Sequence, residues 1–232
     1  MEIPDRDCHE GTRSESRRQQ VLEAATDCFC RHGFHSASMA AIAKSAGMSV
    51  GHIYHYFENK DAIIAAIVED NQADVLAMMD QIESSPGPLA TALVDAAAKG
   101  VDQCMDVART ALMLEVLAEA ARNQRVADVV HASDAVLRAR MRKMICTAAG
   151  PDQDPEDPHL DERVEALFTL FQGLSVRAVR NPSLDRDGTV RVSGPCTDII
   201  WLLTSRSGAL ALYDGTRPTV VRRPTTPQAQ AG

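Results

Sequence analysis

The chain has 232 residues, 45% of them hydrophobic and 24% charged, with 24 Lys+Arg against 32 Asp+Glu and a formal net charge of −8. This is globular composition, long enough for one generous domain or two smaller ones, and it excludes disorder over most of the length. No apolar stretch approaches the roughly 18 residues of a membrane span. Residues 1–20 are polar and mixed in charge, so the expectation is a cytoplasmic protein with no membrane partner.

Charge is unevenly placed. Residues 11–60 carry six cations (Arg13, Arg17, Arg18, Arg31, Lys44, Lys60) against four anions (Glu15, Glu23, Asp27, Glu58), together with His32, His35, His52 and His55. They are the electropositive part of an acidic chain. That hints at an anionic partner for the N-terminal region, while the overall balance argues against coating nucleic acid by bulk charge. The six cysteines (Cys8, Cys28, Cys30, Cys104, Cys146, Cys196) form no C-x-x-C pair. In a cytoplasmic protein they read as reduced, mostly buried thiols ahead of a redox switch.

Helical periodicity dominates from residue 16 onward, after an arm at 1–15 that is expected to be disordered. Val21, Ala24, Ala25, Cys28 and Phe29 fall on one apolar stripe. Gly33 is expected to end that helix, with Phe34 packing just past it. A short helix follows over 39–46, capped by Ser38 and broken by Gly47; Ser49 caps the next, through Phe57. Asn59 opens a helix running to about residue 83, with Asp61 in its first turn. The Ser-Ser-Pro-Gly-Pro sequence at 84–88 is a breaker. Longer helices are expected at about 88–105, 107–122, 126–149 and 157–180, with a Pro- and acid-rich loop at 150–158. Residues 181–195 read as irregular, with 190–192 open to a short extended piece. The apolar run 199–203 fits a buried helix or a strand, and 214–232 reads as a disordered tail.

The two short helices joined at Gly47 form a helix-turn-helix candidate. Ala43 is small enough for them to cross closely, and Gly47 tolerates a turn conformation that a β-carbon resists. Ile53 fills the wedge between the helices, with Ile42, Met48, Phe29 and Phe34 completing a small core. The stretch from Ser38 to Lys60, SMAAIAKSAGMSVGHIYHYFENK, resembles the DNA-binding signature of the TetR family of transcriptional repressors, with Ala43, Gly47, Ser49, Gly51, Tyr54, Phe57 and Lys60 at matching places. The resemblance covers roughly residues 16–65, about a quarter of the chain. It implies an all-α homodimer with no cofactor. Each subunit would have a three-helix helix-turn-helix domain, here 16–62, and a helical effector-binding and dimerisation domain, here 63–213. The partners implied are double-stranded operator DNA and a small-molecule effector.

Within that resemblance, Ser49 caps the recognition helix and turns its positive end toward the duplex. Val50 suits a thymine methyl and His52 a base edge; Gly51 lets the backbone come close. Tyr54 and His55 stand at the groove edge. Ser38 offers a hydroxyl and helix amides to phosphate, and Lys60 a cation. Arg13, Arg17 and Arg18 are candidates for a basic arm. Tyr56 reads as packed in the head rather than as a DNA contact. His52 and His55 have a metal-compatible spacing but no further ligand nearby, so no metal is expected.

The sensing half matches the family only loosely. No aromatic residue occurs between Glu58 and Leu167, so a pocket there is expected to be apolar and methionine-rich. Met79, Met105, Met113 and Met141 are its candidates, with Met78 and Met144 behind them, although core filling is the better reading for any single one. Phe168 and Phe171 supply the nearest rings. Glu115, inside an apolar run at 111–121, is a candidate to orient a cationic or hydroxylated ligand; a solvated edge or an arginine ion pair weighs more heavily. Gln103, Asp106 and Glu119 are further polar candidates. Val164, Leu167, Phe171 and Leu174 share a helical face and, with Trp201, are assigned to the family's late-helix dimer interface, although Gly188, Gly194, Pro195 and Gly208 interrupt its second helix. The reading is a ligand-responsive repressor on a palindromic operator, released by a small, largely apolar effector. A transcriptional activator or a ligand-independent helical interaction module are the alternatives. An enzyme is not expected: His131 and His159 lack catalytic neighbours, and no Gly-rich phosphate loop occurs.

Overall fold

The structure, a computed structural model, describes residues 6–151, 153–157, 159–185, 212–213 and 218–219. Among them are eight helices: α1 (Arg6–Ser36), α2 (Met39–Ser45), α3 (Val50–Tyr56), α4 (Lys60–Glu83), α5 (Leu89–Cys104), α6 (Val107–Ala120), α7 (Gln124–Ala149) and α8 (His159–Arg180). A minimal antiparallel ladder pairs β1 (Leu212–Tyr213) with β2 (Pro218–Thr219). No helix of the described residues is long and apolar enough to cross a membrane. The expectations for 190–192, 199–203 and Trp201 lie outside the described residues.

The caps read from the sequence are in place. Ser38 Oγ accepts from Ala41 N–H at 3.1 Å, Ser49 Oγ from His52 N–H at 3.2 Å, and Asn59 Oδ1 from Ala62 N–H at 2.9 Å. Each satisfies an amide that a helix start leaves without an internal acceptor. Gly47 adopts φ 64° between α2 and α3, the left-handed conformation that favours glycine. The start of α1 differs from the expectation. The helix begins at Arg6, well before the apolar stripe and inside the segment read as a disordered arm. Polar residues without periodicity gave no sign of it. Within that extension Arg18 Nη1 lies 3.5 Å from Glu15 Oε1, one turn away.

The chain divides into two compact units. The first comprises Met1–Ala77 and Val107–Leu137. Here α1 packs on α2 and on α6, and α2 on α3. Its single core runs from Val21, Ala25 and Phe29 of α1 through Ile42, Ile53, Ile63 and Ile64 to Val116 of α6 and Val126 of α7. The head expected at 16–62 therefore shares one hydrophobic interior with α6. Gln20 Nε2 donates to Ala46 O at 2.8 Å and fastens the end of α2 to α1. The second unit comprises Met78–Asp106 and Arg138–Gly232. In it α5 packs on α8, and a β-carbon added at Gly100 would stand 2.9 Å from Phe171 Cε1. Arg140 bonds both Asp80 and Glu83, and Arg142 bonds Asp161 at 2.9 Å.

Within α1, Gly33 is not helical: its φ of 74° and ψ of 159° kink the chain before one last turn. That backbone region is almost closed to residues with a β-carbon, at a cost of about 1–3 kcal/mol. Gly33→Ala is therefore expected to lower unfolding stability by about that amount, read from urea or thermal denaturation of the purified chain.

Candidate nucleic-acid interface

α3 has two sides. Ile53 and Phe57 are buried in the core of the first unit, and Tyr56 is half-buried against it. Val50, Gly51, His52, Tyr54 and His55 are exposed. Val50 is 38% and Tyr54 52% exposed, although both are large and apolar or aromatic. A β-carbon at Gly51 would meet nothing within 4 Å, so packing does not require glycine there. The capped, amide-bearing end of α3 and the outward side chains of Val50 and His52 thus lie on one surface, with Ser49 at its edge.

The segment that leads into this surface is gripped from three directions. Past the Gly33 kink, Phe34 N–H donates to Glu115 Oε2 at 3.3 Å. Lys60 Nζ donates to Phe34 O at 2.7 Å and to His35 O at 3.4 Å, and lies 4.4 Å from the Phe34 ring centroid. His35 Nε2 lies 3.3 Å from Glu119 Oε2. Glu119 is only 3% exposed, and its carboxylate also accepts from Arg122 Nε at 2.9 Å and Asn123 Nδ2 at 3.2 Å. Burying a carboxylate is costly unless its oxygens find hydrogen-bond partners, and these supply them. Glu115 and Glu119 are one turn apart on α6, so they reach the same segment.

These contacts give several of the expected site residues partners within the chain. Lys60, expected to serve phosphate, ties the start of α4 to the end of α1. Glu115, expected to orient a ligand or stand in solvent, receives the main-chain amide that follows the kink. His35, itself exposed, reaches the buried Glu119 carboxylate. Arg18 lies 3.9 Å from Asp70 and over the Phe57 ring at 5.5 Å, and Arg17 donates to Gln20 at 3.0 Å, so both belong to a helical α1 rather than a loose arm. Burial pushes the Asp70 carboxyl above its ordinary range, and the Arg18 charge opposes that shift. Burial, then Asp27 and Glu115, push the Cys30 thiol up as well, away from the thiolate a redox sensor needs.

The residues read as an effector pocket fall into both units. Met113 and Glu115 belong to the first, Met113 partly buried against its core. Met79, Met105, Met141, Phe168 and Phe171 belong to the second, with Met79 buried and the others half-buried. Val164 and Leu167, read as a subunit interface, are 1% and 5% exposed within this one chain, so burial in their own unit accounts for their spacing. Phe171 and Leu174 are half-buried; Ala166, Thr169, Gln172, Gly173 and Val176 are exposed on α8, as are the charged Glu162, Glu165 and Arg177. An open cleft of about 530 Å³ lies in the first unit, lined by His35, Asp61, Glu119, Arg122, Asn123, Gln124 and Arg125. Its lining is polar, and of the expected effector residues it includes Glu119 but no methionine or phenylalanine.

Comparison with known proteins matches this arrangement. Residues 21–67 fit the model of the bacterial regulatory proteins of the tetR family, and residues 89–193 fit that of the BetI-type transcriptional repressor C-terminal region. The two matches lie side by side and together span about two thirds of the chain. The chain belongs to the TetR family. This is a family of DNA-binding transcriptional regulators, not of enzymes. The regulator UidR of Escherichia coli K12 is 37% identical over 119 residues, which cover 50% of this chain and 58% of that relative. The chain thus matches little more than half the length of that curated relative. The solved structure of GusR from Salmonella enterica is 29% identical with a TM-score of 0.62, covering 77% of this chain and 94% of that one. FadR of Bacillus subtilis, solved with stearoyl-CoA, shares the fold at 18% identity and a TM-score of 0.64, covering 82% of this chain and 98% of that one.

In this TetR-family head the buried Glu119 carboxylate has three partners that an amide cannot serve equally. Glu119→Gln is expected to cost about 1–3 kcal/mol of unfolding stability, read by urea titration. The conservative Arg122→Lys change should cost less, because Glu119 keeps His35 and Asn123.

Proposed function

We propose that the chain is a ligand-responsive transcriptional repressor that binds a palindromic operator as a homodimer. The observation that carries the reading is the outward, capped N-terminal end of α3, with Val50, Gly51 and His52 exposed beside it. In this reading α3 enters the major groove, where Val50 meets a thymine methyl and His52 a base edge. Ser38, Tyr54 and His55 meet phosphate or groove edge, and these backbone contacts fix the register. Ser38 and Ser49 use their oxygens as caps, which leaves the hydroxyl hydrogen of each as the donor for a phosphate. Two such heads would read half-sites about 34–36 Å apart.

The effector in this proposal is small and largely apolar, because its candidate lining is methionine and phenylalanine. Met79, Met105, Met141, Phe168 and Phe171 supply that lining, and Met113 stands two residues before Glu115 on α6. Release follows if effector binding is coupled to the contacts that Glu115 and Glu119 make with Phe34 and His35. A coupling of about 1–3 kcal/mol would weaken operator binding roughly 5- to 150-fold. The subunit contact is assigned to the exposed face of α8, around Ala166, Thr169, Gly173 and Val176, together with the late segment that includes Trp201.

The test is a gel shift with duplexes drawn from the DNA upstream of the chain's own gene, alongside sedimentation of the purified protein. A dimer that prefers an inverted repeat over random duplex is expected. Val50→Glu puts a carboxylate on the exposed face without touching the core, and should weaken that binding by about a hundredfold or more. Unchanged binding by Val50→Glu, or a monomer at every concentration, overturns the reading.

A further inference from the structure

On α3 the rings of His52 and Tyr56 lie one turn apart and lean on each other. Their centroids are 5.4 Å apart with planes at 40°, and Tyr56 Oη lies 3.5 Å from His52 Nε2. Tyr56 is itself held in place. It is half-buried against the core of the first unit, and its ring meets His55 edge-on at 5.2 Å and 80°. An exposed histidine without such a post samples several rotamers and presents either ring nitrogen to its surroundings.

We propose that Tyr56 is a positioning residue for base recognition, selecting which nitrogen of His52 faces the operator and so setting the preference at one base pair of each half-site. The inference rests on the proposed entry of α3 into the major groove. With Nε2 engaged by the phenol, Nδ1 is the nitrogen left for a base. When the phenol donates to Nε2, the proton of the neutral imidazole sits on Nδ1. His52 then offers a donor. Guanine presents two major-groove acceptors, N7 and O6, whereas cytosine presents a donor there. The pair therefore favours guanine over cytosine. Without the hydroxyl, His52 flips and presents either a donor or an acceptor, and the preference relaxes.

The experiment selects bound duplexes from a random-sequence library with the full-length protein, Tyr56→Phe and His52→Gln, and follows thermal unfolding of each. The parent is expected to enrich guanine at one position of each half-site. His52→Gln should move that position toward adenine, the base a glutamine reads in bidentate fashion. Tyr56→Phe keeps the ring and its packing, so it should unfold at the parent temperature. Its discrimination should relax at that position alone, from about tenfold to about twofold. If His52→Gln shifts the preference and Tyr56→Phe leaves it at parent strength, the role given to Tyr56 is overturned while the groove reading stands. A Tyr56→Phe protein that melts earlier and weakens all sequences alike overturns it too, since that marks a merely structural residue. If His52→Gln leaves the enriched sequence unchanged, His52 reads no base and the role given to Tyr56 falls, while a sequence still enriched leaves the entry of α3 into the groove standing.

Discussion

The first unit depends on how the main chain is satisfied after Gly33. A kink inside a helix interrupts its hydrogen-bond ladder, and a head cannot be placed accurately on an unsupported joint. Here the Phe34 amide is taken by Glu115, the Phe34 and His35 carbonyls by Lys60, and the His35 ring by Glu119. Each partner comes from a different turn of α4 or α6, so the joint is fixed in three directions. The next residues enter α2, and from α2 the turn at Gly47 leads straight into α3. The segment that leads to the exposed Val50–His52 edge is therefore held by three charged side chains, Lys60, Glu115 and Glu119.

Much of this fold is legible in the sequence because it is written in local signals. Ser38, Ser49 and Asn59 are caps with unambiguous chemistry, Gly47 occupies a position that favours glycine, and Ile53 falls where the two short helices need a wedge. The long helices show as apolar stripes bounded by Pro and Gly. What was hidden is non-local. Glu115 reads as a carboxylate in an apolar run, and only folding shows that an amide 81 positions away needs it. His35 and Glu119 share no periodic signal. Val164 and Leu167 lie on the face a subunit interface would use if α8 were turned outward. Period alone gives a stripe without saying whether its cover comes from the same chain or another. The early start of α1 was missed for the opposite reason: polar residues can form helix without leaving an amphipathic trace.

The cations of the head are mostly occupied. Arg18 faces Asp70 and Glu15, Arg31 faces Asp27 at 2.7 Å, and Lys60 is bound to carbonyls. Each such pairing offsets part of the charge that would otherwise attract any duplex. In the proposed groove reading, helix amides, hydroxyls and the histidines of α3 supply the contacts that tell one duplex from another.

The continuous interior from Phe29 and Ile53 to Val116 and Val126 bears on how such a protein can be recombined. A cut after residue 62 would look natural on a linear map, yet it would strip the N-terminal module of part of its own oil-filled wall. A chimaera that borrows this reading head without α6 and the opening turns of α7 would inherit an unsealed cavity, and a Phe34 amide and His35 ring stripped of their carboxylate partners. The unit of exchange is therefore discontinuous in the chain, and grafts that respect it must carry two separate pieces of sequence.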